Sequence, residues 1–288
     1  MDLVFLFNME TEVSKDGTVK LNFPEGYSAV IIPFGDKKTL CLSTQVGCAM
    51  GCRFCLSGRR RFERNLSLEE LKGQLDAALQ HLEMRNEKLE IRKKMLADEI
   101  SSIVFMGMGE PMFNLDNVLA FCDYVNVEYG YAYSRIVIST CGVLPGMMRV
   151  IEGRNRIQLA VSLHSADRRV RDLIMPGLVG FSLKDLIEVC HKYNEVYRQK
   201  IMIEYVMIEG LTDRDCDLEA LIGLGLAKRT NFNLIGLNSS FVLDGVEMKS
   251  SSLERMNFFM KRLMGEGYKC FVRSRMGEDI EAACGMLK

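Results

Sequence analysis

The chain has 288 residues, 48% apolar and 26% charged, a composition that buries a substantial core in one large domain or two ordinary ones. Its 37 basic and 38 acidic residues give a formal net charge of −1, which excludes a global electrostatic footprint for nucleic acid and leaves any RNA contact to local patches. No apolar run is long enough to span a bilayer, and Asp2, Asn8 and Glu10 break any signal-peptide pattern, so the expectation is a cytoplasmic protein with no membrane partner.

Residues 1–36 hold short alternating pieces at 18–23 and 28–33, parted by Asp16-Gly17 and Pro24-Glu25-Gly26, and read as a small N-terminal β and turn extension. From Lys37 to residue 288, apolar runs alternate with amphipathic helical stretches, the mark of a parallel βα array. Strands are predicted over 39–43, 102–106, 135–140, 158–163, 202–208 and 231–237, with an extra one at 269–273. Six βα units make an α/β fold, an open, partial (β/α)6 TIM-like barrel ending in a C-terminal tail. The clearest helix starts at the capping box Ser67-Leu68-Glu69-Glu70 and continues through Leu71, Leu75, Ala78, Leu79 and Leu82. The charged stretch 83–99 extends it or forms a second helix, and later helices are expected over 115–125, 183–198, 215–227 and 253–266.

The first strand runs into Cys48-Ala49-Met50-Gly51-Cys52-Arg53-Phe54-Cys55. Three thiolates in one tight loop can hold three irons of a four-iron cubane, and the fourth iron is left for a substrate. Structural zinc normally takes four protein ligands, and no fourth is evident. Ten cysteines without a small-secreted-domain framework fit metal or redox chemistry in a reducing compartment. Beside the loop lie Arg53, Arg59, Arg60, Arg61 and Arg64, read either as a solvated basic turn or as an RNA patch.

Other polar residues gather at predicted strand ends, where parallel βα folds build their sites. After the second strand comes Gly107-Met108-Gly109-Glu110-Pro111, which lacks the third glycine of a dinucleotide fingerprint. Its glycines let a ligand approach the backbone, and Glu110 can accept hydrogen bonds from an ammonium group. Ser139-Thr140-Cys141-Gly142, Ser162-Leu163-His164 and Asn238 follow on later strands. His164 is read as a base or, more simply, as a hydrogen-bonded structural residue. Cys122 and Cys190 sit in helical stretches as small core residues. Cys284, five positions from the last residue in Asp279-Ile280-Glu281-Ala282-Ala283-Cys284-Gly285, is a tail thiol that can reach a rim-centred site as a nucleophile. Cys41 can resolve such an adduct by forming a disulfide.

The three-cysteine loop resembles that of radical S-adenosylmethionine (SAM) enzymes. The surrounding residues resemble the RlmN/Cfr methyl synthases, which methylate adenine carbons in ribosomal RNA and, for RlmN, transfer RNA. The resemblance spans roughly residues 37–288. It rests on Leu42-Ser43-Thr44-Gln45-Val46-Gly47-Cys48, Arg64-Asn65-Leu66, 106–111, Ser162-Leu163-His164, Ile203-Glu204-Tyr205-Val206-Met207, Asn233-Leu234-Ile235 and the tail 273–285. It implies that Cys48, Cys52 and Cys55 hold a [4Fe-4S] cluster whose open iron takes SAM. It also implies that Gly109, Glu110, Ser139, Ser162, Leu163, His164 and Asn238 contact SAM.

In the implied mechanism one SAM methylates Cys284, and a second is cleaved to a 5′-deoxyadenosyl radical that takes a hydrogen from that methyl group. The resulting carbon radical adds to an electron-poor carbon, by default adenine C2 of RNA. Cys41 then attacks the Cys284 sulfur, and the product leaves with a disulfide that a thiol reductant must reopen. An external electron donor such as flavodoxin or ferredoxin is implied as well. Three departures concern the substrate side. The family carries an N-terminal RNA-binding helical domain, whereas 40 residues precede Cys41 here. The family's N-terminal glutamate base falls at Ser28, with Glu25 three residues earlier, and Ser239 replaces the usual proline. Two other readings stay open: the same machinery on a non-RNA small molecule or peptide, and a non-catalytic iron–sulfur redox module.

Overall fold

Ten strands form one sheet whose spatial order is their order along the chain. They are β1 Glu10–Val13, β2 Val19–Phe23, β3 Tyr27–Phe34, β4 Lys37–Cys41, β5 Ile100–Phe105, β6 Ile136–Thr140, β7 Gln158–Ser162, β8 Ile201–Met207, β9 Thr230–Gly236 and β10 Lys269–Val272. This is a computed structural model, and it describes residues 9–85, 96–153, 155–178 and 182–288. Strands β1 to β4 pair antiparallel through tight turns. From β4 to β10 every pairing is parallel. Parallel neighbours need a crossover. The crossovers carry α1 Leu68–Arg85, α2 Leu115–Tyr129, α3 Leu144–Glu152, α4 Leu183–Tyr197, α5 Asp215–Gly223 and α6 Leu253–Gly265. Among the described residues no strand pairs β10 back onto the start of the array, so the partial barrel stays open.

The period of two along each strand divides core from site. In β8, Ile203, Tyr205 and Met207 are buried in the main apolar cluster with the helices. The intervening Glu204 and Val206 face a cavity on the other side. In β9, Phe232 and Leu234 enter the core and Ile235 reaches the cavity. The anticipated box begins α1: Ser67 N–H donates to Glu70 at 2.8 Å, and Glu70 N–H donates back to the Ser67 hydroxyl at 3.2 Å. Leu71, Leu75, Ala78, Leu79 and Leu82 then bury one face. Of the charged stretch 83–99, helix runs to Arg85 and resumes over Leu96–Glu99; residues 86–95 lie outside the described residues.

The seven parallel strands fall within two residues of their sequence positions. The first lies at Lys37–Cys41 rather than 39–43, because the turn at Gly35 brings Lys37 opposite Phe34 and pairing starts there. Elements without a clear sequence signal include β1, α3, the helix Arg168–Ile174 and the hairpin Phe241–Leu243/Val246–Met248. Strand β1 has four residues, mostly exposed, and in α3 Pro145 and Gly146 dilute a short apolar pattern that Pro in the first turn in fact opens. Among the described residues no helix is long and apolar enough to cross a membrane.

Beyond β4 the chain leaves the sheet, and the fully buried Gln74 of α1 takes over its pairing. The Gln74 amide accepts from Ser43 N–H at 2.9 Å and donates to the Ser43 carbonyl at 3.0 Å. Replacing Gln74 by Leu orphans both backbone groups, at about 1–3 kcal/mol each. A chemical-denaturation curve of Gln74→Leu is therefore expected to show a loss of at least that size, and a loss within error of zero contradicts the account.

Candidate active site

At the C-terminal ends of the parallel strands lies a cavity of about 940 Å³, mouth included. One wall is the cysteine loop. Its neck is a short ribbon, Gln45–Val46 against Arg64–Asn65, tightened where Cys48 N–H donates to the Arg60 carbonyl at 3.3 Å. Gly47 makes the neck possible. Its φ is +71°, and a Cβ there would lie 1.9 Å from the Arg61 carbonyl oxygen, so no other residue fits. Cys48, Cys52 and Cys55 all line the cavity. Burial pushes the Cys48 and Cys55 thiols well above their usual range.

The second wall is the turn after β5. Gly109 has φ +103°, and a Cβ would fall 2.6 Å from Gln45 Cβ. That close approach lets Gln45 accept the Glu110 N–H at 2.9 Å. The Glu110 carboxylate, 2% exposed, accepts from Met112 N–H at 3.0 Å and from Cys141 N–H at 2.7 Å. Burial raises its pKa, and the two backbone donors oppose the rise. Ser139 and Ser162 line the cavity between these walls.

His164 also lines the cavity, in a left-handed conformation with φ 59°. Its Nδ1 accepts from Val206 N–H at 3.0 Å, and burial followed by the Arg171 charge lowers its pKa to about 3. It is a neutral ring whose Nδ1 lone pair is already used, which favours the structural reading over the base. Leu163 is fully buried away from the cavity and contributes backbone: its N–H donates to the Glu204 carbonyl at 3.0 Å. The 3% exposed Arg171 ties these strand ends together, donating to the carbonyls of Leu163 at 3.0 Å and Cys141 at 2.6 Å. The Cys141 thiol, hydrogen-bonded to Cys52 and buried, is pushed up in turn.

The C-terminal tail closes the third side. Leu56 N–H donates to the Gly285 carbonyl at 2.7 Å, and the Ser57 hydroxyl donates to the Leu287 carbonyl at 2.6 Å. Cys284 thereby faces the cavity, its carbonyl accepting from Asn238 Nδ2 at 2.9 Å. Among the described residues Asn238 Oδ1 is buried without a partner. Behind Cys284 a smaller cavity of about 350 Å³ is lined by Cys41, Arg273 and Cys284 itself. Burial, then the nearby Cys284 thiol, pushes Cys41 up to about 12. The Arg273 guanidinium stands 4.0 Å from Cys284 Sγ and 4.0 Å from Glu204 Oε2. Ser28 lies outside both cavities; its hydroxyl donates to Asn22 at 2.8 Å, and Glu25 is exposed in the turn before β3.

The N-terminal extension anchors this tail. The Ser14 hydroxyl donates to Asp279 at 2.5 Å, Gly277 N–H donates to Asp16 at 2.7 Å, and Lys20 Nζ donates to the Ile280 carbonyl at 3.2 Å.

A family model of the radical SAM superfamily matches residues 42–222. The RlmN dual-specificity RNA methyltransferase of Desulfotalea psychrophila is 38% identical over 96% of this chain and 76% of its own length. That of Geobacter sulfurreducens is 38% identical over 96% of this chain and 73% of its own. A radical SAM methyltransferase from Sphaerobacter thermophilus superposes with a TM-score of 0.85 at 31% identity, covering 97% of this chain and 81% of that one. The chain belongs to the RlmN family of radical SAM enzymes. It is a radical SAM methyltransferase, and the cofactors of this class are a [4Fe-4S] cluster and SAM.

The residues fit both groups. Among the described residues no three ligating side chains close on a point that would hold a single ion. The three thiols instead spread over one cavity wall, as a cluster of several irons requires, and iron would supply the positive charge that burial denies their anions. The orphaned Asn238 Oδ1 and the recessed Glu110 offer acceptors to a ligand bearing an ammonium group. Sequence reasoning placed Cys141 at the rim with Ser139 and Thr140 but gave no role to Arg171, Glu204 or Arg273 in this RlmN-family site. Glu204 had a signal, a lone carboxylate in an otherwise apolar strand; Arg171 had none among Arg168 and Arg169.

Two outcomes follow. Gly109→Ala is expected to displace Glu110 and weaken SAM binding at least tenfold by calorimetry on the reconstituted enzyme, with unchanged affinity counting against the close approach. Asp16 is desolvated by burial, yet the hydrogen bonds from Gly277 and Thr18 outweigh this and hold its carboxyl at about 2, below the ordinary 3.8. A depressed carboxyl stabilises the docked tail above pH 3.8 and loses that contribution as pH falls toward 2. An NMR titration should place the Asp16 midpoint near 2, with the Gly277 amide shift tracking it; a midpoint near 3.8 removes the anchor.

Proposed function

We propose that this enzyme methylates an sp2 carbon of an RNA adenine, by default C2, with Cys284 carrying the carbon and Cys41 resolving the carrier. The position of Cys284 carries the reading, between the cavity that holds the three-cysteine loop and the smaller one that holds Cys41. Cys48, Cys52 and Cys55 would hold the cluster, which with SAM supplies the methyl group and one-electron chemistry. Glu110 and the backbone opened by Gly109 would orient the SAM ammonium, with Ser139, Ser162, His164 and Asn238 as further contacts and Leu163 acting through its backbone.

Cys41 stays a neutral thiol while buried, so its attack on the Cys284 sulfur needs a nearby cation. Arg273 stands in the same small cavity. As the new S–S bond forms, the bond from the Cys284 sulfur to the carried carbon breaks; that carbon takes up a proton to become the methyl group, the odd electron of the adduct leaves through the one-electron chemistry the cluster would supply, and a thiol reductant returns both thiols. The acceptor carbon must also lose its proton. Of the carboxylates lining the cavity, Glu110 has both oxygens on backbone donors. Glu204 is raised by burial against Arg273 and Asn233, and its Oε1 carries no hydrogen bond among the described residues, so it suits the proton acceptor. An electron donor such as flavodoxin or ferredoxin completes the system in the cytoplasm.

Mass spectrometry of the protein expressed with SAM and an intact cluster should place one methyl group on Cys284 and none in Cys284→Ala; an unmodified Cys284 sinks the carrier role. Glu204→Gln should still acquire that methyl group but turn over RNA about 100-fold or more slowly. Equal turnover would reassign the base.

A further inference from the structure

The arginines beside the cysteine loop divide into two groups. Arg60 and Arg64 are spent within the protein, on Glu63 at 2.8 Å and Glu70 at 2.8 Å. Arg53, Arg59 and Arg61 are exposed and have no carboxylate partner among the described residues. The Arg59 guanidinium is steadied by the carbonyls of Arg53 at 3.1 Å and Ser240 at 2.6 Å, which fixes its direction without neutralising it. Arg53 and Arg59 line a shallow groove whose lining also includes one acidic residue, Glu247. Elsewhere Arg149, Arg168, Arg214, Arg255 and Arg262 are each paired with an acid. In a chain of net charge −1, a positive arc therefore stands on the loop that walls the cavity.

Two large exposed apolar rings are carried by the segments that frame the cavity, Phe62 at 44% beside the neck of the cysteine loop and Phe113 at 43% in the turn after Glu110. Their segments are locked together, since Asn65 Nδ2 donates to the Phe113 carbonyl at 2.9 Å. Asn65 also accepts from Gln45, the residue on which Gly109 and Glu110 rest. The segments that carry the two rings are thus tied to the cavity wall by consecutive hydrogen bonds.

A base inside a duplex cannot bring a ring carbon to a recessed thiol, so the nucleotide has to be splayed out and its neighbours lose their stacking partner. We propose that this rim is the RNA-docking face: Phe62 and Phe113 stack on unpaired nucleotides flanking the target, and Arg53, Arg59 and Arg61 hold the adjoining phosphates. The inference rests on the RNA reading of the acceptor. Aromatic faces replace lost stacking regardless of sequence, and unpaired guanidiniums attract phosphate without a competing internal acid.

The test is fluorescence anisotropy of the cluster-loaded enzyme with a labelled RNA hairpin bearing unpaired adenosines, across a salt series. Phe62→Ala and Phe113→Ala should each weaken binding about five- to hundred-fold. Phe62→Trp, which keeps a stacking face, should bind like wild type. Arg53→Gln, Arg59→Gln and Arg61→Gln combined should flatten the slope of log affinity against log salt by about two to three. The Phe62, Phe113 and Arg61 single variants, which lie outside the cysteine loop, should cleave SAM to 5′-deoxyadenosine, with dithionite and no RNA, at the wild-type rate. Unchanged affinity and slope in the alanine and glutamine variants, with wild type binding well, overturns the docking face alone. A wild-type enzyme that methylates Cys284 but binds no RNA overturns both this inference and the RNA reading.

Discussion

A single backbone hydrogen bond, from Leu56 N–H to the Gly285 carbonyl, joins the residue after the third loop cysteine to the residue after Cys284. Leu56 and Gly285 are 229 positions apart along the chain, as are Cys55 and Cys284, and this link helps bring both thiols to one cavity. The Ser57 hydroxyl and Asn238 amide reinforce it, and the N-terminal hairpin holds the tail from behind. Such bonds are worth about 1 kcal/mol each in isolation. Their value lies in direction: they fix where a sulfur sits to within a fraction of its own diameter, which group-transfer chemistry demands.

Around that junction the protein uses burial selectively. His164 is kept neutral and Glu110 is held by backbone donors, while Arg171 gives its guanidinium to the strand-end carbonyls of Leu163 and Cys141. Two carboxylates in one cavity consequently differ: Glu110 has one backbone donor on each oxygen, whereas Glu204 beside Arg273 has no hydrogen bond on Oε1 among the described residues. This separation comes from strand geometry, because Glu204 occupies an inward position of β8 between core residues Ile203 and Tyr205.

Much of this was legible in the residues. The parallel strands are continuous apolar runs, and the α1 cap is spelled by Ser67 and Glu70, so local chemistry alone located them. The cysteine loop and Gly107-Met108-Gly109-Glu110 were visible because unusual residue types cluster there. Arg171 and Arg273 were not, since an arginine's role depends on whether tertiary packing denies it a carboxylate, and that is not written locally. Strand β1 was hidden because its pairing with β2, rather than any apolar pattern, makes it a strand. Ser28 shows the converse: it aligned with a catalytic position, yet its hydroxyl is committed to Asn22 and its carbonyl to Ser43.

The strict agreement between spatial and chain order in the sheet bears on how the molecule assembles. Each strand can add to a growing edge as it leaves the ribosome, with neighbours already in place, and no earlier pairing has to be undone. The contacts that break this local pattern are those between the hairpin at one extreme and the tail at the other. Every strand of the sheet thus precedes Cys284 in the chain, and the third side of the cavity is closed only when the last residues dock onto the first hairpin.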